Sequence, residues 1–289
     1  MYLNTITSDL QENVSGVRLQ TPPGAMQVIP GTAVEPALKR ELLVDVSCAR
    51  ALIEQFGEEN ESFRIVTVDL VRHLGGPISA YLNRSTAIAM APVLANGLSA
   101  IDALERLRAQ FPHVGMYVVA RDTSEVARSM TKLAAAGVDE VFCLDTRSDV
   151  EGFEDTIRAR LAAPAPETEL RLIWKWFRES SERSLVMHCI RNGFRLDVWS
   201  IRSKVFNACR KTLQNRVSFL GLPSPGILSR TGRVLHAQEL ERRGVKPSTI
   251  VAAILGFPSA GAMQRSRRRL RKALMSRGRQ ALVFASLLK

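Results

Sequence analysis

The chain has 289 residues, a length that accommodates two domains of ordinary size. Apolar residues make up 46% of it, and no apolar run approaches the roughly 18 residues of a membrane span. The four cysteines and four histidines are scattered, which argues against a disulfide framework or a clustered metal site. The first residues lack the charged start and apolar run of a secretory signal. We therefore expect a cytoplasmic protein without a cofactor, a metal or a membrane anchor.

The charge is divided unevenly along the chain. Residues 1–164 carry 15 Lys+Arg against 21 Asp+Glu, a net charge of −6, whereas residues 165–289 carry 25 against 7, a net charge of +18. This division predicts a polyanionic partner for the second part only, and nucleic acid is the leading candidate. An anionic membrane surface is less favoured, because no amphipathic helix with large apolar anchors accompanies the basic residues.

Residues 1–38 are predicted to be a mobile arm, since polar residues and two Pro-Gly turns leave no hydrophobic period. From residue 39 to 162, short apolar runs alternate with helical patterns. Strands are predicted at 41–46, 63–69, 86–93, 114–120 and 138–144, and helices at 47–59, 98–111, 123–137 and 148–162. Residues 70–82 are ambiguous. Alternating strands and helices of this kind predict an α/β domain with a parallel sheet covered on both faces.

The element order, together with ALERLRAQFPHVGMYVVARDTSEVARSMTKLAAAGVDEVF at 103–142, resembles a bacterial response-regulator receiver domain of the (βα)5 type. That resemblance implies a phosphoacceptor Asp after the third strand, but Ala89–Val93 contains no carboxylate. Ala120 replaces the receiver's Thr or Ser, and Leu144–Thr146 lacks its Lys. The resemblance thus implies a pseudo-receiver used for dimerisation or signal input. Asp45 and Asp69 are predicted to be capping carboxylates rather than magnesium ligands.

The Pro/Ala-rich residues 163–169 are predicted to be a linker, followed by an all-helical domain at 170–289. Residues 170–193 are predicted to form one helix with Ile173, Trp174 and Phe177 on one side. The final residues, ALVFASLLK, form an apolar tail that we expect to pack back on the domain.

Two helix-turn-helix patterns follow within the predicted helical domain. In residues 198–225 a helix and a turn at 206–208 lead to a basic helix from about Cys209. Its apolar stripe is Leu213, Val217 and Leu220, and opposite this stripe lie four candidate DNA-binding residues, Arg210, Lys211, Gln214 and Ser218. A long helix is predicted at 226–243, which would set the spacing between the two patterns.

The second pattern spans residues 246–272. Pro247 and Ser248 can begin a helix in which Ile250, Ala253 and Ile254 share one face. Gly256 is placed to end that helix, Phe257 to plug the angle, and Ser259 to cap the next helix. That next helix is strongly basic. By its face and position, the candidate DNA-binding residues of this pattern are Ser259, Gln264, Arg265 and Arg268.

Together these patterns resemble the AraC-type DNA-binding domain, most closely in proteins with a degenerate receiver domain in front. The resemblance rests on two helix-turn-helix units joined by a long helix, and on RKTL at 210–213, GLPSP at 221–225 and GFPS at 256–259, preceded by Ile250–Ala252. It covers about residues 185–275. There are departures. Cys209 stands where the family usually has a capping Ser or Thr, Ser266 and Arg267 replace inward apolar residues, and the closing Pro is missing.

No catalytic motif is present: the sequence contains no G-x-S-x-G, P-loop or H-E-x-x-H pattern, so we do not expect an enzyme. The leading hypothesis is a sequence-specific transcription regulator that binds double-stranded DNA. The resemblance also implies a homodimer, nucleoid-associated when bound to DNA. Two alternatives remain open. One is a protein-interaction adaptor, and the other is a small-ligand sensor that binds a metabolite at the strand ends and nucleic acid non-specifically.

Overall fold

The computed structural model describes residues 40–289 except 75–77, 83–86, 123, 128, 178–179, 194–209, 277–278 and 289. These residues belong to one compact unit, Lys39–Lys289. The predicted N-terminal arm lies outside the described residues. So do the first helix and the turn of the first predicted helix-turn-helix pattern.

A five-stranded parallel sheet forms the first part of the described chain. Its strands are β1 (Glu41–Asp45), β2 (Arg64–Val68), β3 (Ala87–Met90), β4 (Gly115–Ala120) and β5 (Glu140–Cys143), in the order β2-β1-β3-β4-β5. Both β3 and β4 are wholly buried, which explains why they read as continuous apolar runs rather than alternating ones. The carboxyl ends of all five strands lie at one edge of the sheet.

Helices cover both faces of the sheet, as predicted. They are α1 (Val46–Phe56), α2 (Leu70–His73), α3 (Ile78–Leu82), α4 (Ala100–Gln110), α5 (Ser124–Ala127), α6 (Met130–Ala136) and α7 (Arg147–Ala162). One apolar core lies between the sheet and α2 to α6, and a second lies between the sheet and α1 with α7. In the ambiguous stretch 70–82 the structure describes two short helices, α2 and α3. The helix predicted at 123–137 is likewise two.

The rest of the described chain is helical. It comprises α8 (Glu167–Trp176), α9 (Ser180–Arg191), α10 (Arg210–Phe219), α11 (Pro225–Arg242), α12 (Ser248–Ile254), α13 (Ala260–Met275) and α14 (Arg279–Leu287). The single helix predicted at 170–193 is wrong. Phe177 is extended, at φ −94° and ψ 106°, and its buried ring stacks on that of Phe284 in α14 at 5.9 Å. The helix therefore breaks at the residue that packs against the C-terminal helix α14. The apolar tail at 281–289 was expected to pack back on the domain, and this contact agrees with that expectation.

The segment predicted as a linker is packed rather than solvated. Ala163 and Ala165 are buried, and the Pro164 carbonyl oxygen lies 2.9 Å from Nδ1 of the buried His236 on α11. Since α8 begins at Glu167, only a few residues connect the sheet to the helical part. The two parts therefore share a packed seam.

Helix α11 lies at the centre of the helical part and is buried along most of its length. It meets α9 at backbone contact. A Cβ added to Gly232 would lie 2.3 Å from the Ile190 carbonyl oxygen, and one added to Gly193 would lie 2.5 Å from that of Ser229. Only glycine permits this approach, so these two helices pack as one rigid pair.

Candidate nucleic-acid interface

Helix α13 presents one apolar and one basic face. Met263, Leu270 and Leu274 are buried in the cores of the helical part. On the opposite side Arg265, Arg268 and Lys272 are exposed, at spacings of three and four residues. We call these three residues the α13 basic stripe. Arg269 and Arg271 are exposed beside it, and the helix contains no carboxylate.

The amino end of α13 is capped by a side chain and made of small residues. The Ser259 Oγ accepts a hydrogen bond from the Ala262 backbone N–H at 3.1 Å, which confirms the predicted cap. Residues 260–262 are Ala-Gly-Ala, and no acidic residue lies in the first turn. A Cβ added to Gly261 would lie 3.3 Å from Nη1 of Arg265, so this guanidinium lies over the first turn. Exposed N–H groups and a cation thus coincide at the positive end of the helix dipole.

The turn before α13 follows the sequence prediction closely. Gly256 adopts the left-handed conformation, with φ 68°, and ends α12. The Phe257 backbone N–H donates to the Ala252 carbonyl at 2.8 Å. The Phe257 ring packs against the small core formed with Leu255, Met263 and α11. This contact fixes the angle between α12 and α13, as predicted.

The residues predicted to share one face of α12 do share it, and that face is the exposed one. Ile250 and Ile254 do share a face, but they are 47% and 37% exposed, and Ala253 is exposed beside them. Val251, Ala252 and Leu255 pack inward instead. Three- and four-residue spacing occurs on both faces of this short apolar helix, so periodicity alone did not identify the buried face.

The departures from the family pattern at Ser266 and Arg267 are accommodated within the helical part. Both residues are half-buried, and an Arg267 guanidinium nitrogen lies 3.9 Å from a Glu241 carboxylate oxygen on α11. An ion pair with the central helix thus stands where the family usually has an apolar contact. Gln264 is also half-buried, at the border of the basic stripe.

Helix α10 carries the first set of candidate residues. Lys211, Gln214 and Ser218 are exposed on one face, whereas Val217 is buried opposite them. Arg210 begins the helix, but its side chain lies outside the described residues, as do those of Leu213 and Arg216. The helix ends where Gly221 adopts φ 64° and the Leu222 N–H donates to the Val217 carbonyl at 3.0 Å. Leu220 is partly buried against the helical core, as its predicted stripe requires.

Two exposed features of these helices were missed at the sequence level. Phe219, at the end of α10, is 91% exposed, an unusual environment for a phenylalanine. Lys272 extends the α13 basic stripe by one turn beyond Arg268. The four-residue spacing between them would have identified it, whereas no sequence signal marked Phe219 as exposed.

Three of the described carboxylates of the helical part pair with arginines of α8 and of the end of α11. On α8, Glu167 pairs with Arg171 at 2.9 Å and Glu169 with Arg242 at 2.7 Å. On α11, Glu239 pairs with Arg243 at 2.7 Å.

The carboxyl edge of the sheet lacks the groups that receiver chemistry needs. Asp45 is buried and accepts hydrogen bonds from the Ser47 N–H and hydroxyl and from the Leu70 N–H, so it caps α1. Asp69 caps α2 by accepting from the Arg72 N–H at 3.2 Å. The predicted capping roles are confirmed. A cavity of about 440 Å³ lies at this edge, and none of the described residues lining it is a carboxylate.

A buried ionic cluster joins the sheet to the helical part. The two carboxylate oxygens of Asp139 accept hydrogen bonds from Arg108 on α4 at 3.1 Å and from Arg191 on α9 at 2.7 Å. The Asn192 amide and the Met116 N–H donate to the same carboxylate at 3.0 and 2.9 Å. Burial alone would raise the pKa of Asp139, but the guanidiniums of Arg191 and Arg108 hold it well below its usual range. Asp139 is therefore ionised at neutral pH.

Comparison with known proteins gives no information about this interface, so its assignment rests on its geometry. No protein-family model matches the sequence, and no curated protein matches it significantly. Among the described residues, no group of three or more His, Cys, Asp or Glu side chains could hold a metal ion. None of the described helices combines the length and apolarity needed to cross a membrane.

Proposed function

We propose that this protein is a sequence-specific transcription regulator of the AraC type that binds double-stranded DNA. The observation that carries the proposal is the α13 basic stripe. Three cations lie on the exposed face of a helix whose other face is buried, and the helix begins with small residues at a capped end. A major groove admits an α-helix, and recognition helices contact base edges with residues near their amino ends.

Each residue of the second unit has a role in this proposal. Arg265 lies nearest the amino end, where a guanidinium can donate two hydrogen bonds to the O6 and N7 of guanine. Gln264, beside it, suits adenine, and Arg268 lies one turn deeper along the same face. Ser259 serves the complex as a cap that accepts from the Ala262 N–H, leaving the N–H groups of residues 260 and 261 for a phosphate. Lys272, farthest from the amino end, is assigned to the phosphate backbone.

The first unit would add a second recognition helix. In α10, Lys211, Gln214 and Ser218 form the exposed face, and Arg210 precedes them. The connecting helix α11 has 18 residues, which corresponds to a length of about 27 Å at 1.5 Å per residue. That length is of the same order as the roughly 34 Å between successive major grooves on one duplex face. Two helix-turn-helix units on one duplex are consistent with such a spacer.

The sheet part is assigned to dimerisation or signal input, without phosphoryl transfer. Asp45 and Asp69 already serve as helix caps, and residues 89–93 at the end of β3 contain no carboxylate. The homodimer is carried over from the receiver resemblance alone. Sedimentation equilibrium of the full-length protein tests it. A monomer at micromolar concentration, with and without an operator duplex, would contradict it.

The first experiment is selection of random duplexes by the full-length protein at about 150 mM salt, where phosphate contacts are substantially screened. We expect an enriched motif of two short elements roughly one helical turn apart. Arg265→Ala and Arg268→Ala should each relax the motif at one position. Arg50→Ala is the matched control, because Arg50 is an exposed arginine on α1 whose partner is Glu54.

Three results would count against the proposal. Binding without an enriched motif would indicate a non-specific polyanion binder. Absence of duplex binding, with capture of an acidic protein instead, would favour the adaptor. A motif unchanged in both α13 variants would remove this helix from base recognition.

A further inference from the structure

A cavity of about 360 Å³ lies in the seam between the sheet and the helical part. Its walls come from α4 and α6 on one side and from α8 and α9 on the other. Ala109, Ala135 and Met187 contribute apolar surface, and Trp174 contributes an indole. Ligand sites commonly occupy such seams, with mostly apolar walls and a few polar groups that converge.

The polar groups of this cavity are mainly guanidiniums. Arg108, Arg183 and Arg191 all line it. Arg108 and Arg191 are buried and share the single carboxylate of Asp139, which leaves one formal positive charge in excess of that carboxylate. Excess charge removed from water is costly unless a counter-charge is present. Burial, and then repulsion by Arg191, lowers the pKa of Arg108 to about 9.

One donor of this group has no partner among the described residues. The Nε of Arg108 is buried without a hydrogen bond, in a side chain that is about 2% exposed. It faces Gly137, which also lines the cavity, and a Cβ added to that glycine would lie 3.3 Å from the Nε. A buried donor without an acceptor is unfavourable. An anion in the cavity would offset that cost.

The third guanidinium is held in place by an aromatic ring. The Arg183 guanidinium carbon lies 4.2 Å from the centre of the Trp174 ring. This stacking holds a cation at the cavity wall next to a flat apolar surface. The lining also includes Glu105, an exposed residue whose charge disfavours a doubly charged ligand. A monoanion with a flat apolar body fits these groups best.

We propose that this seam cavity binds a small aromatic monocarboxylate. Its carboxylate would lie among Arg108, Arg183 and Arg191, and its ring would pack against Trp174 and the alanines of α4 and α6. Such a ligand would contact the sheet and the helical part at once, and would therefore stabilise their present arrangement. The site does not depend on DNA binding, and either proposal can fail alone.

The test uses the full-length protein with benzoate and phenylacetate as probes and benzamide as a neutral counterpart. We expect a saturable rise in Tm with millimolar carboxylate and a binding isotherm by titration calorimetry, with benzamide giving neither. Inorganic phosphate should be much weaker than benzoate. In the Arg183→Gln protein, affinity should fall at least about tenfold, since a charge-assisted hydrogen bond is lost.

A second variant fills the cavity without removing a charge. Ala109 is an exposed position of helix α4, so Ala109→Leu should fold normally and abolish benzoate binding. Arg50→Gln, on α1, is the control and should bind like the wild type. The proposal is overturned if neither carboxylate raises Tm. It is also overturned if benzamide acts equally well, or if Arg183→Gln and Ala109→Leu both bind as the wild type does.

Discussion

At the scale of single residues, Asp139 connects more elements of this structure than its sequence position suggests. In the sequence it is one carboxylate in a predicted strand. In the structure it lies just before β5, and its two oxygens receive donors from α4, α9 and the sheet. Arg160 of α7 donates to the Arg191 carbonyl at 2.8 Å, which extends the same cluster towards the sheet's other face. One anion thus holds Arg108 and Arg191, together with the backbone carbonyls of Pro112 and Gly137.

Replacing that anion should be severely destabilising. In Asp139→Asn, two buried guanidiniums lose their shared counter-charge, and we expect a loss of about 3–5 kcal/mol in the free energy of unfolding. Denaturant titration measures it. Asp155→Asn is the control, because Asp155 is exposed and pairs with Arg158 at the surface; it should change stability by less than about 1 kcal/mol. Equal effects of the two substitutions would contradict the role given to Asp139.

The pH dependence of stability follows from the same carboxylate. The folded-state pKa of Asp139 is depressed below its ordinary 3.8, so its contribution is fully present above that value. It is lost as the pH falls towards the folded-state pKa, because the unfolded chain then binds more protons. The stability difference between wild type and Asp139→Asn should therefore narrow below about pH 4. A difference that is constant from pH 7 to pH 3 would argue against this linkage.

Two residues of the α13 basic stripe should affect DNA binding differently. Arg268→Ala should cost about 1–3 kcal/mol on the selected operator and little on unrelated duplexes, as expected for a base contact. Lys272→Ala should weaken binding to all duplexes alike and reduce the slope of log K against log salt by about 1, as expected for one phosphate contact. Fluorescence anisotropy at several salt concentrations distinguishes these patterns. Identical profiles for the two variants would refute the separate assignments.

At the scale of elements, helix packing depends on a few small residues at close contacts. It also depends on which apolar face of a helix the neighbouring helices cover. The close approach of α9 and α11 depends on Gly232 and Gly193, whose added Cβ atoms would overlap the partner backbone. Helix α12 depends instead on the inward side chains Val251, Ala252 and Leu255. Both contacts bear on the proposed DNA-binding unit, because α11 packs against α9 and also against α12.

Gly232→Ala should destabilise the protein, although alanine is the better helix former. The added methyl group would overlap the Ile190 backbone, and forcing α9 and α11 apart should cost about 1–3 kcal/mol net. Gly152→Ala on α7 is the matched control. A Cβ there would make ordinary contact with Phe142 at 3.9 Å, so we expect stabilisation of up to about 1 kcal/mol. Thermal unfolding of both variants tests the pair, and stabilisation by both would disprove the backbone contact.

The orientation of α12 is tested by two adjacent positions. Leu255→Ala should cost about 2–5 kcal/mol, because Leu255 is fully buried. Ile254→Lys should change the free energy of unfolding by less than about 1 kcal/mol, because Ile254 is partly exposed on the other face. Denaturant unfolding of the two proteins decides the orientation. A large loss in Ile254→Lys with a small one in Leu255→Ala would contradict this orientation of α12.

At the scale of the whole molecule, the sheet and the helical part are joined through a buried seam. Asp139, Arg108 and Arg191 lie within it, and the Ser184 hydroxyl on α9 donates to the Ala134 carbonyl on α6 at 2.7 Å. The connecting residues 163–166 are also packed. A change at the seam cavity would consequently affect both parts, which is what signal input to the proposed DNA-binding unit requires.

The seam predicts a single cooperative unfolding transition. The tryptophans at positions 174, 176 and 198 all follow the sheet part in the sequence, whereas far-ultraviolet circular dichroism reports on both parts. Because separation would expose buried charges, we expect the tryptophan and dichroism transitions to coincide. A dichroism curve with two steps, only one of which coincides with the fluorescence change, would show that the parts unfold independently.

The features that local sequence determines were predicted correctly. The five apolar runs gave the parallel sheet, because strands buried on both faces are apolar throughout. Gly256, Phe257 and Ser259 gave the end of α12 and the start of α13, because helix ends depend on backbone conformation and on near neighbours. The separation of charge also follows from composition alone, whereas DNA binding by Arg265 and Arg268 stays a prediction.

Only the tertiary structure decided the features that depend on distant partners. Phe177 leaves the helical conformation where it packs on Phe284, more than a hundred residues later in the chain. Which face of α12 is buried depends on where α11 and α13 lie. The seam between Asp139 and Arg191, and the cavity beside it, arise because the fold brings together residues separated by 52 positions. Periodicity identifies an element and the residues that share a face of it. Whether that face is buried depends on the element that packs against it.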